Sequence, residues 1–193
     1  PPVTHLPNAQ LHFAENYAQE LLEKSRLLPP SIKWHFVGGL QSNKCVSLAR
    51  DVRGLWAVES VDTEKKASLL DKGWGQRTSD PNLRGVVSGA GVGGVEQPDN
   101  EDDKKLRIFV QVNTSGEENK SGIDPENAAG LCRFIRDRCP RLKLQGLMTI
   151  GAIARSKATT PENENEDFVC LRETRDRIAA ELEISPDQLE LSM

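Results

Sequence analysis

Long apolar runs are missing from this chain of 193 residues: none approaches the roughly 18 residues that a membrane-spanning helix requires. A basic excess is missing too. Lys and Arg number 25 against 29 Asp and Glu, and the net charge of −4 gives no electrostatic reason to expect nucleic acid or an anionic membrane as partner. The four cysteines, Cys45, Cys132, Cys139 and Cys170, form no CxxC pair, so neither a metal site nor a disulfide framework is indicated. His5, His12 and His35 share no helical i, i+4 spacing with a carboxylate, and no metal constellation is expected. GxSxG and Walker sequences are absent. The first ten residues, PPVTHLPNAQ, carry no basic-then-apolar leader, so the cytosol is the expected compartment, with the mitochondrion as the alternative. The sequon Asn113-Thr114-Ser115 is then expected to stay unmodified.

What is present is an alternation of two periods. Short runs of strand character fall at Leu11–Phe13, Trp34–Val37, Leu55–Val58, Leu106–Val112, Leu142–Ile150 and Leu189–Met193. Between them lie segments with helical spacing, at Tyr17–Leu27, Asn43–Arg50, Asp62–Lys72, Asp124–Arg138 and Glu164–Glu181. Asp124-Pro125 offers a helix start, Asp62 a cap for the third helix and Asn43 a cap for the second. In the fourth helix Ala128, Leu131, Cys132 and Ile135 share a face. Strand and helix in strict alternation, with no hairpin signal, predict a parallel sheet with crossover helices, either open and doubly wound or closed as a barrel. The length suits one domain, residues 1–193, interrupted by a flexible insertion at 75–105 that is rich in Gly, Asp, Asn and Pro. The GAGVGG at 89–94 inside it matches a dinucleotide fingerprint only formally. Pro98 and an acidic run follow the glycines where a helix N-terminus should receive phosphate.

In either closure, chemistry is expected where strands end. Those ends hold Glu15-Asn16, Gly38-Gly39, Glu59-Ser60, Asn113-Thr114 and Thr149. Glu15 and Asn16 read equally as helix-start residues or as ligand contacts. Alternation in WHFV puts Trp34 and Phe36 on one side of the strand and His35 and Val37 on the other. His35 among apolar neighbours reads as a core imidazole or as a site residue, and two glycines let the backbone turn or approach a ligand closely. In VQVNTSGEENKSG, Lys120 is an amine near the strand ends; were it desolvated there, it would be a nucleophile toward carbonyls. Met148 offers a pliable apolar surface that suits either a core gap or a planar ring.

FAENY with the following QE, WHFVGGLQSNK, NTSGEENKSG, GLMTIG and the final ELSM together resemble the pyridoxal-phosphate homeostasis proteins, whose domain is like the N-terminal domain of alanine racemase. The five stretches keep the family's order and span nearly all of the chain outside 75–105. The resemblance implies a TIM-type (β/α) barrel and pyridoxal 5′-phosphate held at its strand ends. It also implies a role in carrying or buffering that small-molecule cofactor, without substrate turnover. By the same resemblance Asn16, His35, Met148, Thr149, Ser192 and Met193 are cofactor contacts, and Lys120 is a secondary amine. The family's Schiff-base lysine precedes FGENY, whereas the first lysine here is Lys24, and Ala14 replaces the family's glycine. No catalytic residue is therefore assigned, and the chain is expected to form about strands 2–7 of 8, with weakened cofactor binding. A racemase-like enzyme and a non-binding fragment are the alternatives. Oligomeric state has no signature in the sequence.

Overall fold

The structure, a computed structural model, describes residues 10–77, 101–117, 120–152 and 164–193. Six strands form one sheet: β1 His12–Glu15, β2 Lys33–Phe36, β3 Leu55–Val61, β4 Leu106–Gln111, β5 Leu142–Met148 and β6 Glu190–Ser192. Among the described residues five α-helices connect them: α1 Ala18–Leu27, α2 Ser42–Asp51, α3 Glu64–Arg77, α4 Ala128–Arg138 and α5 Glu166–Glu181. Every strand pairs in parallel with the next in sequence, in the order β1 to β6. A doubly wound sheet reverses its order at a switch point; this one never does, so the winding is that of a (β/α) barrel.

The sheet is also strongly curled. Strands lie 4.7–4.9 Å apart, so β3 and β6 would stand about 14 Å from each other in a flat sheet. Yet Ser192 Oγ on β6 donates a hydrogen bond to Glu59 on β3. On the other side, the rings of His12 on β1 and Trp56 on β3 meet at 4.8 Å. Six strands thus form an open, incomplete barrel wall with a concave and a convex face.

The main core lies on the convex side. Trp34, Phe36, Leu55, Val58, Ile108, Val110 and Leu147 pack there against Leu48, Leu70, Ile135, Leu171 and Ile178 of the helices. The expected face of α4 is buried as Ala128, Leu131, Cys132 and Ile135. A smaller cluster of Ala57, Phe109 and Met148, with Trp56 against it, floors the concave side.

Several local expectations are corrected. β3 runs three residues beyond Val58, because Val61 supplies a further core contact, so Glu59 and Ser60 lie within the strand and not at its exit. Thr63, not Asp62, caps α3 by accepting from the Lys66 N–H at 3.3 Å, while Asp62 pairs with Lys66 at 2.6 Å. Asn43 sits inside α2, whose N-cap is Gln41. Pro125 opens a 3-10 turn over Pro125–Asn127 before α4 begins. Helix α3 continues to Arg77, into the first residues of the expected insertion, and a 3-10 turn at Glu101–Lys104 occupies its last ones. GAGVGG and His5 lie outside the described residues.

Candidate functional site

The concave face is built by alternation. On β2, Trp34 and Phe36 go to the convex core, so His35 must face the other way. Beside it the β2–β3 register shifts: Trp34 pairs with Leu55 and His35 with Ala57, which leaves Trp56 as the extra residue of a bulge. The bulge turns the indole onto the concave face, where its centre lies 4.7 Å from that of the His35 ring with the two planes tilted by 32°. The Arg107 guanidinium lies 4.5 Å from the centre of the same indole.

A chain of four polar side chains crosses this face. His12 Nδ1 lies 2.8 Å from His35 Nε2, His35 Nδ1 lies 2.5 Å from Glu59 Oε1, and the other oxygen of Glu59 accepts from Ser192 Oγ. The series joins β1, β2, β3 and β6. Burial alone would raise the Glu59 carboxyl, but the hydrogen bonds from His35 and Ser192 outweigh it and hold the group below its ordinary value. The His12 imidazole is likewise held below its ordinary value, by burial first and then by His35, Lys33 and Arg107.

Further along the strands, an open cavity of about 280 Å³ is lined by Val37, Gly39, Gln111, Lys120, Ser121 and Ile150. Val37, Gln111 and Ile150 each follow a concave-face residue by two positions: His35, Phe109 and Met148. A two-residue step keeps the same face and advances about 7 Å, so the cavity is the strand-end continuation of the polar chain. Lys120 reaches it from the loop after β4 and pairs with Glu117 at 3.2 Å. That loop is pinned at its base by the parallel bridge of Val112 with Ile123 and by Gln111 Nε2 donating to Ser121 O at 3.1 Å.

The residues expected at a site therefore divide. His35, Met148 and Ser192 come together on the concave face, with Ser192 directly opposite Met148 in the β5–β6 register. Lys120 stands at the mouth of the same face. Thr149 is only 2% exposed, and its hydroxyl donates to Val112 O at 3.0 Å and lies 2.8 Å from Thr114 Oγ1. Asn16 is exposed at the start of α1, and Met193 is 60% exposed. Glu15 resolves as a helix-start group: its carboxylate accepts from the Asn16 and Tyr17 N–H groups and pairs with Lys24. Gly38 is required by contact, since a Cβ there would lie 1.8 Å from the Asn16 carbonyl oxygen. Cys45 and Cys132 are packing groups whose thiols burial pushes up to about 11 and about 12.

Trp56 and His12 were not legible as site residues in the sequence, and Glu59 was legible only as one of several strand-end polar residues, not as the partner of His35 and Ser192. The signal that could have placed Glu59 inside β3 is the spacing of Val58 and Val61, which keeps the strand going past the two polar residues between them.

The family model of the alanine racemase N-terminal domain matches residues 3–193. A pyridoxal phosphate homeostasis protein of Caenorhabditis elegans is 42% identical over 187 residues, with 95% of this chain and 66% of that protein covered. The protein of the same name from Schizosaccharomyces pombe is 39% identical over 184 residues, covering 95% of this chain and 65% of that one. The chain thus spans just under two thirds of the length of these relatives. Among solved structures, PipY of Synechococcus elongatus with PLP bound is similar in fold, with a TM-score of 0.58 and 23% identity over 95% of this chain and 70% of that one.

Proposed function

The chain belongs to the alanine racemase N-terminal-domain family, and from that premise we propose that it binds pyridoxal 5′-phosphate on the concave face and serves cofactor homeostasis without turning over a substrate. One observation carries the reading: an apolar floor, a row of hydrogen-bonding groups and an amine converge at the strand ends. The floor of Ala57, Phe109 and Met148 suits a flat pyridine ring. His35 and Ser192 supply polar contacts beside it, and Gln111 and Lys120 stand at the cavity mouth. Relatives bearing the homeostasis name give the ligand its identity. Pyridoxal phosphate brings a reactive aldehyde and a phosphate. In this chain Lys120 is the amine facing the cavity, with Glu117 beside it to keep it oriented. Residues on the floor exclude water from one side of the ring, and the Glu59 carboxylate stays ionised behind His35.

A racemase needs an acid poised opposite the cofactor amine. The single tyrosine, Tyr17, is 66% exposed at the start of α1, and its N–H is held by Glu15, which favours the non-catalytic reading. The test is a titration with pyridoxal 5′-phosphate followed by cofactor absorbance and by tryptophan fluorescence. Trp56 lies on the concave face, so saturable quenching that disappears in Trp56→Phe is expected. Quenching that persists in that variant would place the cofactor elsewhere. An alanine or serine racemisation assay is expected to stay at background.

A further inference from the structure

The interior of β3 holds a carboxylate that neither the motifs nor the strand-end cavity account for. Glu59 is 5% exposed, and both of its oxygens are engaged, one by His35 Nδ1 at 2.5 Å and the other by Ser192 Oγ. An ionised carboxylate only accepts hydrogen bonds, so His35 must carry its proton on Nδ1. In the neutral ring Nε2 is then an acceptor, and His12 must donate to it from Nδ1 across 2.8 Å. One buried charge thereby dictates the Nδ1 proton of His35 and the rotamer of a serine on a third strand, and with a neutral His35 ring it dictates the His12 tautomer as well.

We infer that Glu59 is a positioning residue: it fixes His35 as the Nδ1–H tautomer and ties it to Ser192, so that two contacts on distant strands act as one rigid unit. Its reach explains why the unit is needed. His35 and Ser192 belong to β2 and β6, which share no pairing in the sheet, and Glu59 is the side chain between them. Ser192 sits on an edge strand of three residues that pairs with β5 alone among the described residues, its carbonyl accepting from the Thr149 N–H just past that strand. Without Glu59 its hydroxyl would turn freely. Trp56, its ring centre 4.7 Å from that of His35, holds the imidazole plane, and Glu59 sets which nitrogen carries the proton. The affinity part of the inference rests on the cofactor reading above; the tautomer part does not.

The experiment uses the 15N-labelled whole chain and reads histidine ring nitrogens by long-range 1H–15N correlation, with titration by pyridoxal 5′-phosphate alongside. In the wild type, His35 is expected as Nδ1–H. In Glu59→Ala it is expected to relax to the Nε2–H form that free imidazole prefers, with affinity reduced about tenfold, the equivalent of one charge-assisted hydrogen bond. Glu59→Gln keeps an acceptor oxygen for His35 and is expected to retain Nδ1–H and stay within about threefold of wild-type affinity. Ser192→Ala is expected to weaken binding and leave the His35 tautomer alone. A wild-type ring found as Nε2–H overturns the inference. So does a folded Glu59→Ala variant that keeps the Nδ1–H ring or the full affinity. Should Glu59→Ala fail to fold, by circular dichroism, the wild-type and Glu59→Gln spectra decide the matter, an Nε2–H ring in either counting against it. A wild type that binds no cofactor removes the functional reading and leaves the tautomers to judge Glu59.

Discussion

Thr149 and His35 show how differently two polar residues of one sheet are used. The Thr149 hydroxyl bonds Val112 O and meets Thr114, whose own hydroxyl donates to the fully buried Asp167 at 3.0 Å. Thr149→Val keeps the shape and removes that link, so it should cost about 1–3 kcal/mol in urea denaturation while leaving pyridoxal phosphate affinity unchanged. His12 makes the pH prediction. Its folded pKa is lowered from 6.5, so as pH falls the unfolded chain takes up the proton first. The stabilisation is complete above the unfolded value and is lost as pH falls through the folded one. Glu59, also lowered, acts in the same sense in the more acidic carboxylate range. The urea midpoint should therefore drop between about pH 7.5 and about pH 5, and His12→Gln should flatten that part of the curve. A midpoint that rises on acidification would contradict the assignment of His12.

Elements meet here through a few obligatory contacts. The β2 exit passes so near the β1–α1 turn that Gly38→Ala would drive a methyl group into the Asn16 carbonyl, an overlap with backbone that no side-chain rotation relieves. A loss of about 3 kcal/mol is expected, read from chemical denaturation. At the far end of the chain, Asn165 caps α5 by accepting from the Asp167 N–H at 2.9 Å, and Asn165→Ala should cost about 1 kcal/mol in the same measurement. Much of this level was readable in advance. Among the described residues the six strands and five α-helices each overlap the segment the periods mark, with ends that differ by a few residues, because each element hides one face and polar residues mark the other. The two-sided reading of WHFV held for the same reason. Caps were less readable: Asp62, Thr63 and Asn43 all have side chains able to cap, and the choice falls to backbone geometry that only the folded chain defines. Glu59 was readable as a polar residue near a strand end, but its part in the polar chain was not, because its partners lie 24 and 133 residues away and no local period encodes them.

At the scale of the molecule the two faces of the sheet carry different burdens. Nearly all the large buried apolar side chains lie between sheet and helices, while the concave floor holds two, Phe109 and Met148, beside Ala57. Leu171→Ala on the convex side should cost about 2–5 kcal/mol, and Met148→Ala on the open side about 2 kcal/mol or less. Calorimetric melting would rank the pair, and only the second should weaken cofactor binding. Periodicity alone left a choice between two closures and the motif resemblance implied the barrel; the unreversed strand order and the curl bear that out. One last contact bears on how this architecture tolerates change. Trp74, a turn before the end of α3, donates its indole N–H to Lys104 O at 2.9 Å, and its ring carries Arg77, whose guanidinium also holds the last carbonyls of α2. The exit of α3 and the approach to β4 are thus stapled at a single post. Trp74→Phe keeps a ring beneath Arg77 and removes the donor to Lys104 O, so it should cost about 1 kcal/mol in urea denaturation.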